Sequence, residues 1–156
     1  SSRPARIPLF VAAAARWLPG WNEDTFVLTK EAKAALKILP ILCEKLSRYS
    51  SLLRAEKKLV LAEEFIFEAM AILEVEGDEN IQSMLDDAEE NRSQWSEAKT
   101  LNPPALLGGQ DLMALGLKAG PEIKKILAFV RMAQLSEEIE TKAEAIALVK
   151  ERLPRS

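Results

Sequence analysis

Apolar residues recur at intervals of three and four along most of this chain, and prolines and glycines cut the repeat into short pieces. Ala32, Ala35, Leu36, Leu39, Leu42, Cys43 and Leu46 fall on one helical face, with Lys30, Lys33 and Lys37 on another. No long run alternates apolar and polar residues with a period of two, the pattern of a half-buried strand. Alanine, leucine, lysine and glutamate dominate, and all four favour helix. The fold class read from this is all-α: an irregular helical bundle with a small helical tail.

The breaks give the element order. The stretch "IPLFVAAAARWLPG" reads as a helix stopped by Pro19-Gly20, with Phe10, Val11, Ala14, Trp17 and Leu18 as its buried stripe. "WNEDTFVL" reads as a loop leading to Thr29, an N-cap. Pro40 has no amide hydrogen, so it either bends or splits the following helix. A strong apolar segment runs from Leu52 to Leu73. Its expected face is Leu59, Ala62, Ile66, Ala69 and Leu73, widened by Phe65 and Phe67. Gly77 reads as a stop and Asp78 as the cap of a helix carrying Ile81, Met84, Leu85 and Trp95. Successive prolines in "TLNPPALLGG" forbid a continuous helix, which places a boundary there and divides the chain into residues 1–104 and 105–156. In the second part a short helix is expected over Gln110 to Leu115. Another starts at Pro121 with Ile123, Ile126, Leu127, Val130 and Ala133 as its stripe. Thr141 and Glu144 have capping-box spacing before a last helix.

Hydrophobic residues make up 48 % of the 156 residues and charged ones 29 %, which argues against global disorder. No stretch has the length and apolarity of a membrane span, and no targeting signal is visible. The expected location is therefore the cytoplasm or an organellar matrix, with no membrane partner. The chain begins with Ser1, which reads as a processed product or a boundary within a longer protein. Cys43 is the only cysteine and falls in the apolar stripe, so a buried thiol is expected and an intrachain disulfide is excluded. With no histidine, neither a catalytic triad nor a zinc site is evident, and no metal ligands are assigned. The net charge of -3 conceals a division. Eight basic residues face three acidic ones between Lys30 and Lys58, whereas nine acidic residues meet only Arg92 between Glu74 and Ala98. A polyanion-binding surface is compatible with an acidic chain organised in this way.

The stretch "LGLKAGPEI", Leu115 to Ile123, puts two glycines and a proline between helices. Two readings stand. It is a compact turn that buries Leu112, Leu115, Leu117, Ile123 and Leu127, or it also offers the unpaired amides after Gly120 to a phosphate. Lys118, Lys124, Lys125 and Arg131 supply positive charge beside that helix start, with Glu122 opposing them. Lys124, Ala128 and Arg131 share a face suited to backbone phosphates, or to plain solvation. Arg54, Lys57 and Lys58 form a second candidate patch, and Lys30, Lys33 and Lys37 a third. Trp17 and Trp95 read as packing residues, and Trp21 lies in the expected loop.

The segment "LLGGQDLMALGLKAGPEIKKILAFVRMAQ", followed by "TKAEAIALV", resembles the C-terminal tail of the class II tRNA nucleotidyltransferase and poly(A) polymerase family. Gly109, Asp111, Leu112, Leu115, Gly116, Lys118, Gly120, Pro121, Ile123, Leu127 and Gln134 fall on the family pattern. "LTKEAKAALKILP" is similar to part of the helical body of those enzymes. Ala119 stands where the family often has proline, and Lys124 and Lys125 replace a usual glycine and its variable neighbour.

The resemblance implies a noncatalytic, tRNA-binding C-terminal portion that positions tRNA for an absent N-terminal head. In the family that head carries a Gly-Ser element and an Asp-x-Asp pair for two magnesium ions, and it transfers nucleotides from ATP or CTP. Neither element is present, and adjacent Asp86 and Asp87 point about 100 degrees apart on a helix. No cofactor is therefore expected in this chain, no catalytic residue is assigned, and the chain alone is expected to be inactive. The tRNA contacts expected are Lys118, Gly120, Lys124, Lys125, Arg131, Arg54, Lys57 and Lys58. The alternative is a helical interaction or dimerisation module using the apolar segment Phe65 to Leu73 and the acidic face after Asp78, which leaves self-association open.

Overall fold

The computed structural model describes residues 30–153. The helix expected over residues 7–20, the loop after it, the Thr29 cap, Trp17 and Trp21 lie outside them. Among the described residues there are seven α-helices, one 3-10 turn and no strand, and the fold is all-α.

Helix α1, Lys30–Ser47, continues through Pro40. Proline removes one backbone hydrogen bond, but Leu39, Leu42, Cys43 and Leu46 on the buried face are each at most 2 % exposed and hold both halves to the core. After the 3-10 turn Tyr49–Ser51 comes α2, Arg54–Leu61, whose entry is closed by the Leu53 amide donating to Glu56 Oε2 at 2.8 Å. The apolar segment expected from Leu52 to Leu73 is broken by a turn between Leu61 and Ile66, where α3, Ile66–Glu76, begins. The break changes the helical register. Leu59, which one continuous helix places beside Ile66 and Leu73, is exposed, and Val60 and Leu61 face inward instead. Gly77 ends α3. Asp78 then caps α4, Glu79–Glu97, accepting from the amides of Asn80 and Ile81 at 3.0 and 3.1 Å.

These four helices enclose one apolar cluster, in which Leu39, Leu46, Leu61, Phe65, Ile66 and Leu73 are central. Cys43 is fully buried in it. Trp95 packs against its margin. Each such large side chain contributes about 1.5–3 kcal/mol on leaving water. Tyr49, 1 % exposed, accepts a 2.7 Å hydrogen bond from Asn91, so its buried hydroxyl is satisfied. Phe65, Ile66, Ala69, Met70, Ile72 and Leu73 are all interior. The apolar segment on which the interaction-module reading rested therefore makes core rather than surface.

A second cluster is built from α5, Gly109–Ala114, α6, Pro121–Leu135, and α7, Lys142–Arg152. Leu107, Leu112, Ile123, Val130, Ala145 and Val149 are its interior. Asp111 ties two ends together: it accepts from the Gly108 amide at 2.8 Å and pairs with Lys142 Nζ at 2.8 Å. Thr141 caps α7 by accepting from the Glu144 amide at 3.2 Å.

The two clusters meet where α2 packs against α6. Both α4 and α6 end in a Schellman turn, with Thr100 and Glu138 amides reaching back to the carbonyls of Trp95 and Ala133. The left-handed residues of those turns are Lys99 and Glu137, at φ 60 and 62. Glycine is the usual occupant of that slot, and a side chain there costs on the order of 1 kcal/mol.

Candidate nucleic-acid interface

The corner between α5 and α6 is built by hydrogen bonds that leave its outer side open. Leu117 donates to the Leu112 carbonyl at 3.2 Å and Gly116 to Met113 at 3.0 Å, which finishes α5 in another Schellman turn. Gly116, at φ 101, supplies the left-handed step, and Leu117 folds back onto the second cluster. Leu112 and Ile123 are buried beneath, with Leu115 and Leu127 packed beside them. The chain then runs outward through Lys118 and Ala119, both exposed, to Gly120.

Gly120 has φ 156 and ψ -170, a conformation that belongs almost exclusively to glycine, and it is the N-cap of α6 with Pro121 at the first position. A Cβ added at Gly116 or Gly120 meets nothing within 4 Å. No side chain caps this helix start. Pro121 has no amide hydrogen and the Ile123 amide donates to the Gly120 carbonyl at 3.2 Å, so the expected set of unpaired amides shrinks to that of Glu122, which the corner offers together with the helix dipole. Lys118, Lys124 and Lys125 are all exposed around it, against the single carboxylate of Glu122.

The other expected contacts are engaged elsewhere. Arg131 donates to Pro103 O at 2.7 Å, Asn102 Oδ1 at 2.7 Å and Gln134 Oε1 at 2.9 Å. Gln134 in turn donates to Pro104 O at 2.8 Å. Burial lowers the Arg131 pKa from its ordinary value without threatening its charge. Arg131 thus clasps the segment joining the clusters, and it leaves the outward face that Lys124 and Ala128 occupy.

On α2, the Lys58 side chain is fully buried, with its ammonium 3.4 Å from Glu137 Oε2. Arg54 pairs with the same carboxylate. Both cations also lie over the Trp95 ring, at 5.4 Å for Lys58 and 5.7 Å for Arg54. Burial pushes the Lys58 pKa below the ordinary lysine value, and Glu137 partly offsets that. Lys57 sits 4.9 Å over the Tyr49 ring, in a cleft that it shares with Asp87 and Glu90. Of the eight contacts read from sequence, Lys118, Gly120, Lys124 and Lys125 share the open corner. Arg131 and Lys58 serve as internal struts, Arg54 is half-engaged and Lys57 lies among acids.

Glu137, Asn102 and the linker carbonyls were missed. Their partners are 28 to 83 residues away in sequence, so no local spacing could have marked them. The one available signal was Gln134 at the end of the tail motif. Lys30, Lys33 and Lys37 are exposed along α1. Among the described residues no group of three or more His, Cys, Asp or Glu is placed to hold a metal ion, and no helix is long and apolar enough to cross a membrane.

A family model described as tRNA nucleotidyltransferase domain 2 matches residues 21–149, a span that takes in every helix above except the last turn of α7. No curated protein and no solved structure matches the chain.

Proposed function

The chain belongs to the tRNA nucleotidyltransferase domain 2 family, and from that membership we propose that it is the noncatalytic, tRNA-binding C-terminal portion of such an enzyme. It positions tRNA through backbone contacts for a catalytic head that adds nucleotides of a CCA end. The observation that supports this most is the open corner at residues 118–125, where three exposed lysines surround an uncapped helix start.

Lysine and backbone amides satisfy phosphate oxygens without reading base edges, so the contact orients a duplex whatever its sequence. Lys124 and Lys125 leave α6 about 100 degrees apart and flank the corner on two sides. Gly120 matters for shape: with no side chain, it lets a phosphate approach the backbone. Magnesium and the nucleotide belong, in this proposal, to the head, whose chemistry none of these residues supplies. Asp86 and Asp87 are both exposed on α4, and no third acid among the described residues joins them to hold a metal ion.

The test is a titration of fluorescently labelled tRNA against the chain and a Lys124→Glu/Lys125→Glu variant, read by anisotropy. Both lysines are exposed, so the variant keeps its fold. Binding at least ten-fold weaker supports the assignment. Equal affinities refute it.

A further inference from the structure

The backbone conformation of Glu137 conflicts with its residue type. It occupies the left-handed position of the Schellman turn that ends α6, where glycine is favoured, and φ there is 62. Its carboxylate nevertheless takes two cations from a different helix. Arg54 pairs with it, and Lys58, fully buried, lies 3.4 Å away. The same two cations rest on Trp95 at the end of α4. An indole from the first cluster, two cations from α2 and a carboxylate from the second cluster thus form one stack across the junction. A separate set of hydrogen bonds, from Arg131 and Gln134, clasps the linker at Asn102, Pro103 and Pro104.

A residue kept in a disfavoured conformation while its side chain bridges two packing units points to a requirement that stability of the turn alone does not explain. We infer that Glu137 is a positioning residue that locks the second cluster onto the first through Arg54 and Lys58, fixing the angle between the lysine corner at α6 and the basic face of α1. This rests on the tRNA-binding reading. A tRNA that touches both surfaces gains from the fixed angle, because the second contact becomes intramolecular at a preset geometry. Without the lock each surface still binds, but the two no longer act together.

The experiment uses the full chain with spin labels at Lys45 and Lys150, both exposed and on opposite sides of the junction. Distances are measured by pulsed electron resonance in the unaltered background, in Glu137→Gly, in Glu137→Gln and in Arg54→Gln. A residue serving only the helix end is improved by glycine, so that role leaves the distance distribution as narrow as before in Glu137→Gly. The lock instead requires it to widen at least two-fold, with helix content retained. Arg54 is half exposed, so Arg54→Gln folds even if the Glu137 variants do not, and it then decides the matter: widening supports the lock and an unchanged distribution overturns it.

No RNA enters that measurement, so its failure is separate from failure of the tRNA reading. In the RNA arm, Glu137→Gly is expected to lose about ten-fold in affinity for whole tRNA and little for a short RNA hairpin. Equal loss for both, or none for either, overturns the positioning role.

Discussion

Replacing Arg131 with alanine separates its structural role from any RNA role. The guanidinium makes three hydrogen bonds, to Pro103 O, Asn102 Oδ1 and Gln134 Oε1. A bond from a charged donor contributes about 1.5–3 kcal/mol when shielded, and one open to solvent about 0.5 kcal/mol. The Pro103 and Gln134 bonds are partly buried and the Asn102 bond is exposed, so the lower half of each range applies. The sum is on the order of 3.5–5 kcal/mol, before any added cost of leaving the Pro103 carbonyl without its donor. Urea unfolding followed by circular dichroism and by tryptophan fluorescence reads this directly, with the midpoint falling and its slope unchanged. Lys124→Ala, at an exposed position on the same helix, is expected to stay within about 0.5 kcal/mol. A loss below about 0.5 kcal/mol for Arg131→Ala would refute the clasp and return Arg131 to the surface contacts.

Three further outcomes follow from the second cluster. Leu112 is fully buried, so Leu112→Ala should cost about 2–5 kcal/mol and lower hydrogen-exchange protection in α6 and α7 first; uniform loss across α1 to α7 would show one cooperative core instead. Gly116→Ala adds a Cβ that meets nothing, so its expected cost of about 1–2 kcal/mol is backbone strain alone, and a neutral result in chemical denaturation contradicts the left-handed assignment. The Lys142 ion pair, with the Gly108 amide, holds the Asp111 pKa below its ordinary 3.8. The folded state therefore binds fewer protons there than the unfolded one. The stability it adds is present above the unfolded value and is lost as pH falls through the folded one. Between about pH 6 and about pH 3 the melting temperature should fall less in Asp111→Asn than in the unaltered chain, and equal falls would exclude the pair's contribution.

The helices and their caps were legible because their causes are local. Asp78, Thr141, Gly116 and Pro121 act on residues within four positions, and the sequence pattern displays that reach. The break between α2 and α3 was not legible, because residues 62–65 carry neither proline nor glycine; tertiary packing of Phe65 and Ile66 decides it. The candidate site divides along the same line. Lys118, Gly120, Lys124 and Lys125 lie within eight positions and their clustering follows from one turn. Arg54, Lys58 and Arg131 were assigned outward roles because a lone cation on an amphipathic helix defaults to solvent. Arg54 and Lys58 find Glu137 across the junction and Arg131 finds the linker at Asn102 and Pro103, partners that composition and period cannot reveal.

The most direct test of the lysine corner is the salt dependence of tRNA binding by the unaltered chain and by Lys118→Ala/Lys124→Ala/Lys125→Ala. Each lost phosphate contact on a duplex removes about 0.9 from the slope of log affinity against log salt. Three contacts made by these lysines should make the line shallower by roughly 2 to 3, with the two proteins differing most at low salt. Parallel lines, with affinity and slope both unchanged, would show that tRNA is held elsewhere or not at all.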